Sequence, residues 1–247
     1  MKNVFIEFVE YKEKPLKGYT LIEGFPGMGL VGTIAAKFIV EKLHFDHFGY
    51  IASDIFLPVI RIHKGIPVQP SRIYVNQEKK LAVLISEQVI PKKYVNAMAR
   101  ATVEWIKKKQ FKRVISLSGI NTNEKNAESI IYGIAANKES LKLLQGHGLQ
   151  IIQDGITTGV TAMMLLDLKR SNIESVSLLG NVELGADYHA AAEVLRKLNE
   201  ILALKIDVEP LLAEAKELEK EVLRQLQNVK ETKDSVEKFE SPASMYS

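Results

Sequence analysis

Gly24-Phe25-Pro26-Gly27-Met28-Gly29-Leu30-Val31-Gly32 separates a short β-prone run, Thr20-Leu21-Ile22-Glu23, from a stretch of helical spacing that begins near Leu30. Strand, glycine-rich turn and helix in that order open a sheet whose strands are joined by crossover helices. The pattern continues to about residue 204, with strands expected at 20–23, 50–53, 73–76, 81–86, 114–118, 130–135 and 176–180. Helices are expected at 30–43, 94–109, 139–145, 161–170 and 188–204. Several of the strand runs are β-branched and nearly unbroken, as interior strands covered on both faces require. The fold class is therefore α/β with a largely parallel sheet. Between Ile55 and Ser71 the chain holds Pro58, Pro67, Pro70 and Gly65, which excludes a clean crossover helix and points to extended edge structure or a projecting loop.

The chain of 247 residues is 46% hydrophobic and 26% charged, enough to bury a sizeable core and too apolar for intrinsic disorder. A net charge of only +3 removes the basic imbalance that would make nucleic acid the default partner. The charge is unevenly placed. Residues 207–247 carry ten acidic and six basic side chains, net −4, so the preceding part must be +7 to give the total of +3. Zero cysteines exclude disulfides, thiolate metal sites and a cysteine nucleophile, and suit a reducing, cytoplasmic setting. Met1-Lys2-Asn3-Val4-Phe5 leads into a segment holding Glu7 and Glu10, without the apolar region of a signal peptide, and no run is long enough to cross a membrane.

Three segments are expected: an α/β domain over 1–206, a helical extension over 207–240 and a flexible tail over 241–247. In the extension, Leu211, Ala215, Leu218, Val222, Gln225, Val229, Thr232, Val236 and Phe239 alternate by four and three, a heptad seam with two polar breaks. Pro210 suits a first helical turn, and Ser241-Pro242-Ala243-Ser244 ends the pattern.

Gly27, Gly29 and Gly32 form a G-x-G-x-x-G match, and Asp54 stands 22 residues beyond, where a ribose-binding carboxylate would be sought. The proline-rich stretch that follows argues against a dinucleotide fold. Two readings remain: glycines that allow a tight turn and close helix approach, or helix-start amides that hold a phosphate or carboxylate. No Walker Lys-Ser or Lys-Thr pair follows. His44, His47, His63, His147 and His189 show no hydrolytic zinc spacing, and no G-x-S-x-G elbow exists. Neither a catalytic nor a metal residue, nor a cofactor, is assigned. Gly119-Ile120-Asn121-Thr122-Asn123 and Gly155-Ile156-Thr157-Thr158-Gly159-Val160-Thr161 place small polar residues after apolar runs, where open sheets bind ligands. Turn chemistry explains them equally well. Arg100, Lys107, Lys108, Lys109, Lys112 and Arg113 read as a solvated face.

The string Gly24 to Gly32 with Thr33-Ile34-Ala35-Ala36 resembles the hallmark of the PAC2 family of proteasome assembly chaperones. The Gly119 loop and the stretch from Gly155 to Leu166 resemble its later landmarks, although Ala162-Met163 stands where the family pattern has glycine-leucine. The likeness spans roughly residues 17–205. It implies a three-layer sandwich resembling purine nucleoside phosphorylases, used to bind proteins, with Gly24, Gly27, Gly29 and Gly32 as a structural loop. Among family members, the archaeal form that engages the 20S proteasome is the one that the appended coil and tail match. Met245-Tyr246-Ser247 is similar to the HbYX ending of proteasome activators, in which the free carboxylate pairs with a lysine between neighbouring α subunits. The resemblance thus implies an ATP-independent, non-enzymatic assembly chaperone or activator, homo-oligomeric and provisionally tetrameric, that docks on 20S α subunits. Two other classes stay open: a phosphate- or nucleoside-binding enzyme on the same scaffold, with Gly27, Asn121 and Thr157 lining its crevice, and plain scaffolding through the heptads.

Overall fold

A computed structural model describes residues 4–122, 130–182 and 185–213. The expected helical extension beyond Ala213 and the tail lie outside the described residues.

A nine-stranded sheet forms the middle layer. Its strands are β1 (Ile6–Glu10), β2 (Thr20–Gly24), β3 (Asp46–Ser53), β6 (Ser71–Asn76), β7 (Leu81–Ser86), β8 (Arg113–Ile120), β9 (Ile131–Ala135), β10 (Gln150–Ile151) and β11 (Glu174–Asn181). The order is β1-β3-β6-β7-β2-β8-β11-β9-β10. The central four, β7, β2, β8 and β11, run parallel to one another, as do β9 and β10 at the edge. The pairs β1–β3, β3–β6, β6–β7 and β9–β11 are antiparallel, so the largely parallel sheet expected from the sequence is a mixed one. The cause is connection length. The turn at 77–80 is too short for a crossover and turns β6 back on β7.

Helices α1 (Val31–Lys42), α3 (Lys138–Gly146) and α5 (Tyr188–Leu202) supply one hydrophobic core with Ile22, Val83, Ile115 and Leu178. Helices α2 (Val95–Lys108) and α4 (Val160–Leu168) supply the other with Leu21, Leu84 and Val114. Successive side chains of a strand point to opposite faces, so neighbours Leu21 and Ile22, both fully buried, serve different layers. Each such burial contributes about 1.5–3 kcal/mol. Helix starts are set locally: Asn137 accepts from the Ser140 amide at 2.9 Å, and Asp187 from the Ala190 amide at 2.8 Å. Helix α6 (Glu209–Ala213 among the described residues) includes Pro210 in its first turn, and its Leu211 joins the core with α5.

The proline-rich segment forms a separate two-stranded hairpin, β4 (Arg61–His63) and β5 (Ile66–Val68). Lys64 and Gly65 form its two-residue turn, both at positive φ (50° and 77°), the backbone that suits the twist of a tight hairpin.

Candidate functional site

At the carboxyl end of β2 the chain passes through the glycine loop, makes one 3-10 turn at Met28–Leu30 and enters α1. Three backbones meet here. A Cβ at Gly24 would stand 2.3 Å from the Gly32 carbonyl oxygen, and one at Gly32 only 2.1 Å from that of Leu117 in β8. Gly29 adopts φ +63°, and a Cβ there would strike Val182 at 2.7 Å. Gly27 faces the Ser118 hydroxyl, where a Cβ would come within 3.2 Å. The loop is bound from within: Leu30 donates its amide to the Gly27 carbonyl, and Asp187 its amide to that of Gly29, at 3.1 and 2.8 Å. Thr33 in the first turn of α1 donates to the Ser86 carbonyl at 3.2 Å, tying the helix start to β7. The space that a side chain would take at Gly24, Gly29 and Gly32 is occupied by protein atoms.

Beneath this loop lies Glu23, 0% exposed. Its carboxyl accepts from the Phe25 amide at 2.7 Å and from the Thr161 hydroxyl in α4 at 3.0 Å. Burial pushes its pKa up, against the opposing pull of hydrogen bonds from Ser116, Phe25 and Thr161. One side chain thus joins the glycine loop, the centre of the sheet and the start of α4. Its signal in the sequence is a lone acid at the end of the apolar run Thr20-Leu21-Ile22.

The three resembling loops converge at this end of the sheet. Thr122 donates its amide and hydroxyl to Asn181 Oδ1 at 3.2 and 2.9 Å, fastening the Gly119 loop to the end of β11. A Cβ at Gly119 would meet the Met28 carbonyl oxygen at 2.4 Å, so this loop is also in close packing. The third loop is open, with Ile156 97% exposed, and it ends at Gly159 (φ +93°) before α4. Asp54 does not join them. It follows β3, which β6 and β7 separate from β2, so the adjacent strand that a dinucleotide fold needs is absent. Among the described residues no group of three or more His, Asp or Glu side chains is placed to hold a metal, and no helix is long and apolar enough to cross a membrane. Met245, Tyr246 and Ser247 lie outside the described residues.

The β4–β5 hairpin presents a second feature. Arg61 at its base pairs with Glu87, which also pairs with buried Arg72 at 3.1 Å. Gln88 accepts from the Leu57 amide and donates to its carbonyl, at 3.1 and 3.2 Å. Held in this way, the hairpin exposes Ile60, Ile62 and Ile66 to 58–65%. The sequence shows the breakers of this segment but not which of its isoleucines face water.

Residues 21–226 match the model of the PAC2 family. Uncharacterized protein MJ0106 of Methanocaldococcus jannaschii is 31% identical over 215 residues, 87% of this chain and 88% of that protein. Among solved structures, Pyrococcus furiosus PbaA, an archaeal homologue of proteasome-assembly chaperone, superposes with a TM-score of 0.82 at 32% identity, covering 94% of this chain and all of that one. Pyrococcus furiosus PbaB, an archaeal proteasome activator, shares the fold with a TM-score of 0.74 at 23% identity, over 92% of this chain and all of PbaB. With its glycine loop, nine-stranded sheet and two helical layers, the chain belongs to the PAC2 family.

Proposed function

We propose that this protein is an ATP-independent assembly chaperone or activator of the 20S proteasome, and that it acts by binding. The family match over residues 21–226 is the observation that carries the reading. PbaA, a homologue of proteasome-assembly chaperone, and PbaB, a proteasome activator, supply the two variants of the task. In this reading the helical extension carries Met245, Tyr246 and the Ser247 carboxylate to pockets between α subunits, where an amine takes the carboxylate and the tyrosine packs on the wall. Such a tripeptide buries few atoms and is weak alone, so several copies must act together. The apolar hairpin face at Ile60, Ile62 and Ile66 supports self-association, with a tetramer as the working stoichiometry and the cytoplasm as the site of action.

Tight packing around Gly24, Gly29, Gly32 and Gly119 favours this reading over a nucleoside- or phosphate-handling enzyme at the same loops. The test is a pull-down of 20S α subunits. Wild-type protein is expected to retain them, whereas Tyr246→Ala and a chain lacking residues 245–247 lose them. Equal retention by all three defeats the tail mechanism.

A further inference from the structure

At the end of the sheet opposite the glycine loop, an open pocket of about 360 Å³ is lined by Thr20, Leu81, Arg113 and the exposed Lys79, Lys80 and Lys112, and is bordered by Ile201 to Leu204 of the α5 end. Three adjacent parallel strands build it. Thr20 opens β2 between Leu81 of β7 and Arg113 of β8, and the residues just before these partners are Lys80 and Lys112. The backbone fixes both lysines beside Thr20: the Thr20 amide donates to the Lys80 carbonyl at 3.0 Å, and the Lys112 amide to the Tyr19 carbonyl at 3.0 Å. The turn that carries Lys79 and Lys80 is itself held by Asn76, which accepts from the Lys79 amide and donates to the Leu43 carbonyl, both at 2.9 Å. Lys80 stands at φ +50°, a left-handed position where glycine or asparagine is the ordinary choice.

Charge at this pocket is uncompensated among the described residues. Arg113 is engaged by Glu174. The amines of Lys79, Lys80 and Lys112 make no hydrogen bond or ion pair among the described residues, although Glu78 is adjacent in the chain. Lysines near a helix carboxyl end commonly serve only to offset its dipole. The carboxyl end of α5 contributes about half a negative charge, against three full positive charges here. Lys79 and Lys80 lie on a β-turn and Lys112 just before a strand, so none belongs to a helix's last turn.

The geometry points to a binding site for a small ligand bearing a multivalent phosphate-type oxyanion. The amines of Lys79, Lys80 and Lys112 take the charge, and partly exposed Leu202 meets any organic body. None of the lining residues belongs to the tail, so the test is separate from that of the proteasome reading.

Calorimetry on the full chain at low ionic strength, with tripolyphosphate, inorganic phosphate, phenyl phosphate and an oligoglutamate peptide, supplies the ligand arms. Acetylation of lysines read by mass spectrometry, with and without tripolyphosphate, supplies the location. Tripolyphosphate is expected to bind more tightly than about 1 mM and to protect Lys79, Lys80 and Lys112 while leaving Lys37 and Lys138 unprotected. Phenyl phosphate binding more tightly than inorganic phosphate assigns an organic ligand; the reverse order assigns an inorganic one. A Lys79→Ala/Lys80→Ala/Lys112→Ala variant that retains the wild-type circular dichroism and melting curve is expected to lose at least about tenfold in affinity, about 1.4 kcal/mol. Unchanged affinity in that variant, protection spread evenly over all lysines, or binding of oligoglutamate alone overturns the assignment.

Discussion

Replacing Gly32 by alanine would place a methyl carbon 2.1 Å from the Leu117 carbonyl oxygen, with backbone on both sides unable to yield. Overpacking of this kind is expected to destabilise by about 3 kcal/mol, lowering the melting temperature by roughly 6–12 °C for a domain of this size. Gly65→Ala is the control, because its Cβ meets nothing within 4 Å and only the left-handed backbone is strained. A thermal melt that ranks Gly65→Ala as the more damaging would contradict the close-packing account. Glu23 yields a pH dependence of defined sign. Its pKa is raised above the ordinary 4.5 by burial, so the folded state holds the proton more tightly than the unfolded chain. Its contribution is therefore full below about pH 4.5 and is lost as pH rises through the folded value. Glu23→Gln, which fixes the neutral form, should melt increasingly above wild type as pH increases across that window. Parallel melting curves at every pH would show that the carboxyl does not titrate there.

The β4–β5 hairpin is a rigid mount for an apolar face. Its base is fixed by the Arg61–Glu87–Arg72 ion pairs and the two Gln88–Leu57 hydrogen bonds, while Ile62 and Ile66 project into solvent. Ile62→Glu with Ile66→Glu is expected to lower the mass measured by light scattering to that of a single chain and to leave the circular dichroism unchanged. An unaltered mass, or a wild-type protein that is itself a single chain, would remove this face from the proposed self-association. This element also marks the reach of pattern reading. Helices α1, α2, α3 and α5 fall within two residues of the expected ranges because their apolar spacing is strong and their ends carry local signals. Strands β1 and β10 escaped, the first half-exposed and broken by Glu7 and Glu10, the second two residues long. Strand direction escaped as well: apolar runs carry no direction, and only the four-residue connection between the runs at 73–76 and 81–86 signals the antiparallel pair.

At the scale of the whole molecule, the proposed mechanism needs several tails joined to one body. Linkage can raise affinity by on the order of 10²–10⁴ over a single tail when the pockets match its reach. A monomeric Ile62→Glu/Ile66→Glu protein with an intact tail is therefore expected to bind 20S α rings at least about 100-fold more weakly in surface plasmon resonance. Wild-type affinity in that monomer would remove avidity from the account. The sequence by itself determined the α/β class, the strand–glycine–helix unit, the turn that ends each periodic run and the acidic character of the extension, because these depend on residues close together along the chain. Tertiary structure alone decided the order of the strands, the burial of Glu23 beneath the loop and the meeting of Lys79, Lys80 and Lys112 around one pocket. Those facts join residues tens of positions apart. Only the packing of two helical layers on one sheet brings them within reach of each other.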